Sequence, residues 1–311
     1  MRVTANTFSN TLVNQLGNLA VRQARLQSQA ATGQRVRLPE DDPVALRRVI
    51  DLQTEFSTAG QYSRNIARQT ELAQASYSNI KSLKSVSDRA SEIATLADGL
   101  KSPQELQAYA TEITEMIKQA VNLMNATNRG DSLFAGTQTN QPAYAITVDT
   151  NGSVTSITYQ GNTTLPETEI AEGVSLTGQA VGENTTGSGP RGLITDSRSG
   201  ADLFDHLISL QNNLLAGNVT AIAATDRVNL AKDEDNILYH ISSNGAIQSR
   251  LETADASTSQ RGLALETQVS NEVNADLAQT LVKLSQTQTA YQAALQSGAQ
   301  ALNLSLLDYL R

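Results

Sequence analysis

Few residues in this chain are of types and spacings that could do chemistry. The two histidines, His206 and His240, have no metal-ligand pattern around them and no nucleophile signature beside them, and each reads as a surface or half-buried helix residue. Asp41 and Asp42 are a carboxylate pair of the kind that can share a proton or hold a cation. Pro43 follows them directly, however, and an Asp ahead of a Pro at the first helical position is the signature of a helix N-cap. Gly187, Gly189 and Gly192 satisfy the spacing of a dinucleotide-binding turn, yet no strand precedes them and Pro190 sits where a backbone N–H should face a phosphate. Asp149, Asn151 and Gly152 match part of a calcium loop whose later bidentate Glu is missing, so a hairpin turn is the better reading. Asn151, Asn162, Asn184 and Asn303 open N-x-Ser/Thr sequons, which carry weight only in a chain with a secretory signal. There is no Cys, which removes disulfides, thiolate metal sites and Cys nucleophiles. No enzymatic activity, cofactor or metal site is expected.

Composition points instead to long helices. Only 4% of residues are aromatic and none is Trp, which argues against a large core built on rings; Ala, Leu, Gln, Ser, Thr and Asn suit slim helices packed through small side chains. The first 30 residues hold no apolar run of signal-peptide length, so a cleaved secretory signal is not expected, and no stretch approaches the roughly 20 apolar residues that span a bilayer. The Thr- and Asn-rich opening (Thr4, Asn6, Thr7, Asn10, Thr11) reads as either an ordinary terminus or an uncleaved export signal.

Both ends carry a heptad pattern. Leu12, Leu16, Leu19, Gln23, Leu26 and Ala30 step by four and three, and so do Leu277, Leu281, Leu284, Gln288, Tyr291, Leu295, Gly298 and Leu302. Such narrow seams predict that the two terminal helices pair with each other and serve as the assembly surface. Between them, Asp42-Pro43 opens a helix through Val49 and Phe56, a second is expected from about Tyr62 to Leu100, and Ser102-Pro103 with Glu105 forms a capping box for a third. From 136 to 200 the texture turns to Gly, Thr, Asn and Ser, and Asn151-Gly152 between alternating runs predicts a β-hairpin. Helices resume near Leu203, with Asn244-Gly245 a local conflict that would mark a bend. The expected fold is therefore mainly α: an elongated rod of long antiparallel helices, paired coiled-coil ends at 1–42 and 275–311, a helical rod domain at 43–135 and 201–274, and a small β-rich surface domain at 136–200.

The formal net charge is −8, which argues against nucleic acid or an anionic membrane as partner. The first 48 residues oppose this balance with seven Arg against three acids, a distribution compatible with subunits that attract one another end to end.

Four segments then carry a resemblance. Thr32 to Ala45 reads TGQRVRLPEDDPVA and resembles the N-terminal motif of flagellin-like proteins, with Thr32, Gly33, Arg35, Pro39, Asp41, Asp42 and Pro43 as its markers. Its DDPV ending is similar to the hook-associated protein 3 family. Leu133, Phe134, Ala135 and Gly136 open LFAGTQTNQP, NGAIQSRL spans 244–251, and LSLLDYL ends the chain, all similar to family segments and in the family's order. The resemblance implies a structural subunit at the hook–filament junction of a bacterial flagellum, between hook-associated protein 1 and flagellin. It also implies export, unfolded, through the flagellar type III channel with the help of an export chaperone, and assembly with copies of itself into a ring-like helical layer outside the cell. The rival readings are flagellin itself, which shares the helical ends, and an unrelated coiled-coil adaptor.

Overall fold

The computed structural model describes the backbone of residues 5–309 and the side chains of residues 10–300. The chain is mainly helical, with α1 Ala5–Thr32, α2 Pro43–Leu96, α3 Pro103–Met124, α4 Leu203–Leu215, a short turn α5 Val219–Ala221, α6 Arg227–Val273 and α7 Leu277–Tyr309. Nine short strands lie between α3 and α4, from β1 Thr127–Asn128 to β9 Ala201–Asp202. By packing, the chain falls into two units: the residues up to Thr58 with those from Arg261 onward, and the segment Ala59–Gln260.

In the second unit the long helices present heptad stripes. On α2 the buried positions Ile66, Gln69, Ala73, Ser76, Ile80, Leu83, Ser87, Ala90 and Ala94 alternate three and four apart. The expected break between Phe56 and Tyr62 does not occur: α2 runs unbroken through Gly60, because an isolated helical Gly costs only about 1 kcal/mol and no Pro interrupts the run. Asn244-Gly245 likewise sits inside an uninterrupted α6. The capping box that opens α3 is present, with Ser102 accepting from the Glu105 N–H and Glu105 accepting from the Ser102 N–H at 2.7 Å.

The β region shares this core. The hairpin of β3 (Tyr144–Val148) and β4 (Val154–Tyr159) forms where Asn151-Gly152 predicts it, and Asp149 Oδ1 accepts the N–H groups of Asn151 (2.9 Å) and Ser153 (2.8 Å). Asp149 is thus a turn residue. β7 (Val181–Asn184) pairs parallel with β8 (Gly192–Asp196), and β8 antiparallel with β9. Val154, Leu193 and Ile194 pack into the same cluster as Ile113 and Ile117 of α3 and Leu207 of α4. The glycine-rich turn between β7 and β8 closes around the buried Asn184, whose Nδ2 donates to the carbonyls of Ser188 (2.7 Å) and Pro190 (2.6 Å). It presents carbonyls inward, the wrong polarity for a phosphate cradle.

The buried stripe of α6 and the turn before it is largely polar, and four of its members, Asp226, Asp233, Asn236 and His240, hold another element, while Asn244 accepts from Gln248 of the same helix at 2.6 Å. Asp226, at the end of a π-turn spanning Ile222–Asp226, accepts from Ser209 (2.8 Å) and Asn213 (2.7 Å) of α4. Asp233 meets His206 Nδ1 at 2.7 Å and accepts the Asp202 N–H at 2.8 Å. Asn236 donates to the carbonyls of Gly192 (2.9 Å) and Leu193 (2.8 Å), and His240 Nε2 meets the Gly192 carbonyl at 3.1 Å.

The two histidines respond oppositely to pH. Burial pushes His240 down to about 4, so it is neutral in the fold, and its contribution is complete above the unfolded value of 6.5 and lost as pH falls toward 4. At His206 burial is outweighed by the hydrogen bond and charge of Asp233, so its pKa is raised; its contribution is complete below 6.5 and lost as pH rises through the raised value. We expect His240→Gln to remove about 2 kcal/mol of the stability lost between pH 7.5 and pH 5, and His206→Asn to flatten the alkaline limb instead. Urea unfolding of each variant across pH 4.5–8.5 measures both, and equal pH profiles for the two variants would contradict the assignment.

Candidate assembly site

The candidate surface is built from the two terminal helices and the joint that connects them to α2 and α6. On α1 the half-buried and buried positions are Leu12, Leu16, Leu19, Gln23, Leu26 and Ala30, the stripe read from the sequence, together with Gln29, and this stripe packs against α7. The pairing is antiparallel: the Gly33 carbonyl after α1 accepts the Ala275 N–H before α7 at 2.8 Å, and Gly298, far along α7, packs against Leu12 near the start of α1. A Cβ on Gly298 would overlap the Leu12 Cδ2 atom.

On α7 the covered stripe differs from the expected one. Thr280, Leu284, Thr287, Tyr291, Ala294 and Gly298 face inward, whereas Leu277, Leu281 and Leu295 are 49%, 54% and 45% exposed and Gln288 is exposed too. Leu284, Tyr291 and Gly298 are common to both stripes. The Leu302 side chain lies outside the described residues. Periodicity cannot choose between two stripes offset by one residue, and apolarity favours the wrong one here, because the covered positions are filled by small or polar side chains. Thr287 is accommodated because its Oγ1 donates to the Lys283 carbonyl at 2.7 Å. On α1 itself, Val13 and Val21 are 65% and 72% exposed.

The TGQRVRLPEDDP segment forms the joint. Thr32 Oγ1 donates to the Ser28 carbonyl (2.8 Å) at the end of α1, and Gly33 turns the chain with φ +71°. Gln34 then bridges Asn274, and the Arg35 N–H donates to the Val273 carbonyl at 2.6 Å. The Arg35 guanidinium reaches Asp42 Oδ2 (3.2 Å) and the Glu272 carbonyl (2.9 Å), while Arg48 pairs with Glu272 at 3.1 Å. Pro39 occupies the second position of the turn closed by the Asp41 N–H on the Leu38 carbonyl. Asp41 Oδ2 accepts the N–H groups of Arg37 and Leu38, both at 3.1 Å, and Asp42 Oδ1 accepts the Ala45 N–H at 2.9 Å ahead of Pro43. Those backbone bonds hold both carboxyls below the usual range. The pair therefore works as turn and cap. Glu272 and Asn274, to which the joint attaches, carry no sequence signal of this role.

The second motif lies in the core of the other unit. Leu133, Phe134 and Ala135 are buried, and the Phe134 carbonyl accepts both the Tyr159 hydroxyl (2.8 Å) and the Gly182 N–H (2.9 Å). Gly136 has φ +68°, and a Cβ there would strike the Asn162 carbonyl. This segment ties the strands to α3. Among the described residues no three His, Cys, Asp or Glu side chains are placed to hold a metal, and no helix is long and apolar enough to cross a membrane.

If the Asp42 carboxylate is a cap, Asp42→Ala should lower the stability of the first unit by ~1 kcal/mol and Asp42→Asn by much less. Hydrogen exchange of the first turn of α2 is the measure, and equal effects of both variants would show that charge, not capping, matters.

Residues 3–139 match the family model described as the bacterial flagellin N-terminal helical region. The chain is 25% identical over 323 aligned positions to flagellar hook-associated protein 3 of Salmonella typhimurium, covering 100% of both, and 26% identical over 294 to that of Escherichia coli, covering 90% of both. Among solved structures, a flagellar hook-associated protein of Vibrio parahaemolyticus aligns with TM-score 0.63 at 19% identity over 75% of this chain and 100% of that one. Bacillus cereus FlgL aligns with TM-score 0.55 at 18% identity over 71% and 99%; these two likenesses concern the fold. The chain thus matches the flagellin-type N-terminal helical region over its first part and is similar from end to end to flagellar hook-associated protein 3, and these likenesses indicate a structural component of the bacterial flagellum.

Proposed function

We propose that the chain forms the junction layer between hook-associated protein 1 and the flagellin filament, polymerising through its terminal helices after export through the flagellar type III channel. In this reading 1–42 and 275–311 form the inner, assembling part, 43–135 and 201–274 the helical wall, and 136–200 the outward surface. The observation that carries it is the second apolar stripe of α7. Leu277, Leu281 and Leu295 repeat at heptad spacing next to a seam that α1 already covers, and a helix with two such stripes needs a second neighbour. Contacts of this kind between unlike surfaces need not close on themselves, which a layered tube requires. Unfolded passage through an export channel is also compatible with a chain that holds no Cys.

Deletion of the gene should leave hooks without filaments and flagellin shed into the medium, as seen by electron microscopy. Complete junctions lacking only the filament subunit would point to flagellin instead. Leu295→Asp in the restored gene should give a protein with unchanged unfolding midpoint but no attached filaments, whereas Leu284→Asp, inside the covered seam, should lower stability as well. Normal motility with Leu295→Asp would sink the assembly role of the exposed stripe.

A further inference from the structure

In the second unit a cavity of about 230 Å³ opens between α2, α6 and the segments that lead into β7 and β8. It uses no residue of α1, α7 or their joint, and its walls set apolar side chains such as Ile80 and Ile247 beside polar ones. Gln179 and Asn244 line it while only 8% and 6% exposed. The Gln179 carboxamide has no hydrogen-bond partner among the described residues; its backbone N–H alone is engaged, by Thr177 Oγ1 at 3.3 Å. Asn244 Oδ1 accepts from Gln248, and its Nδ2 is left over. Polar groups this deep are ordinarily paired, because an unmade hydrogen bond forfeits their hydration. Here the unmade bonds belong to side chains that share one cavity, which calls for a polar occupant.

His240 and Arg191, which also line the cavity, define what that occupant must carry. His240 Nε2 meets the Gly192 carbonyl at 3.1 Å, and a carbonyl can only accept, so Nε2 holds the proton. The ring is neutral because burial holds its pKa down to about 4, and Nδ1 is therefore a bare acceptor without a partner among the described residues. Arg191 supplies charge. Its Nε donates to Asn236 at 2.7 Å and its guanidinium carbon lies 4.3 Å from the centroid of the Tyr239 ring, which leaves the terminal nitrogens free to donate. No acidic residue lines the cavity among the described residues. We propose that the cavity binds a small hydroxylated carboxylate. The carboxylate takes the Arg191 guanidinium and the amide N–H groups, and a hydroxyl gives its proton to His240 Nδ1, a bond that an unsubstituted carboxylate cannot make. A neutral polyol meets the His240 demand only and leaves Arg191 unmatched.

Three small probes separate these demands: glycerate carries both groups, propionate only the carboxylate, and glycerol only hydroxyls. Calorimetric titration of the full chain should give at least roughly tenfold tighter binding for glycerate than for either of the others. In nitrogen-edited NMR spectra the His240 ring signals should move with glycerate, while those of His206, which does not line the cavity, stay in place. Gln179→Leu should lose roughly tenfold in glycerate affinity with its unfolding midpoint unchanged or raised, because the amide it removes has no partner in the fold. Arg191→Gln should bring glycerate down to the affinity of glycerol. Equal binding of the three probes, binding that leaves the His240 signals unmoved, or unaltered affinity in Gln179→Leu overturns the site. Failure of glycerate to bind at all means a cavity that holds water only, and overturns it as well.

Discussion

The register between α1 and α7 is pinned by a glycine at each end, and the surface left for neighbours depends on it. Gly33, in a left-handed conformation that other residues adopt only with strain, brings its carbonyl to the Ala275 N–H. Gly298 lets Leu12 settle against the α7 backbone. With both ends held, rotation of α7 about its axis is no longer free: Thr280, Leu284, Thr287, Tyr291, Ala294 and Gly298 must face α1, and Leu277, Leu281 and Leu295 must face away. The joint adds a charged clasp. Arg35 and Arg48 converge on Glu272 at the end of α6, so the turn after α1 and the turn before α7 move as one piece.

The second unit obeys a different constraint. A helix stripe containing Asp226, Asp233, Asn236, His240 and Asn244 cannot be buried by hydrophobic packing, because each unpaired polar group would cost about 1–3 kcal/mol. The β strands and α4 exist in their observed places because they supply the missing partners: Gly192 and Leu193 carbonyls for Asn236, the Gly192 carbonyl for His240, Ser209 and Asn213 for Asp226. The π-turn ahead of α6 inserts one residue into the helical repeat and brings Asp226 onto the buried stripe. Arg227, the next residue, turns to the opposite neighbour and caps the α2 carbonyls of Ala94 and Thr95.

Much of this was legible in the residues. The α1 stripe, the α3 capping box, the cap at Asp42-Pro43 and the Asn151-Gly152 hairpin all follow from local chemistry, and local chemistry is what a sequence displays. The misreadings are non-local. The break expected before Tyr62 is the exception, a local overestimate of what one helical Gly costs at Gly60. Part of the α7 stripe was assigned to Leu277, Leu281 and Leu295 because apolarity is the usual guide to burial, whereas α1 had reached the neighbouring threonines and alanine. The polar stripe of α6 gave no signal at all, since its partners lie up to 48 positions away, at Gly192. Glu272 and Asn274 were invisible for the same reason.

The chemistry of the two α7 stripes gives the pairing its place in the proposed assembly. The covered stripe buries two threonines, an alanine and a glycine with one leucine and one tyrosine, and such a seam contributes little free energy per residue. The exposed stripe holds three leucines, each worth about 1.5–3 kcal/mol if fully buried. The stronger half of the helix therefore points outward. A terminal pair stabilised mainly by its own seam would have placed those leucines inside. With the order reversed, α1 and the joint hold α7 in orientation, and the larger part of the burial is left for a neighbouring subunit to complete.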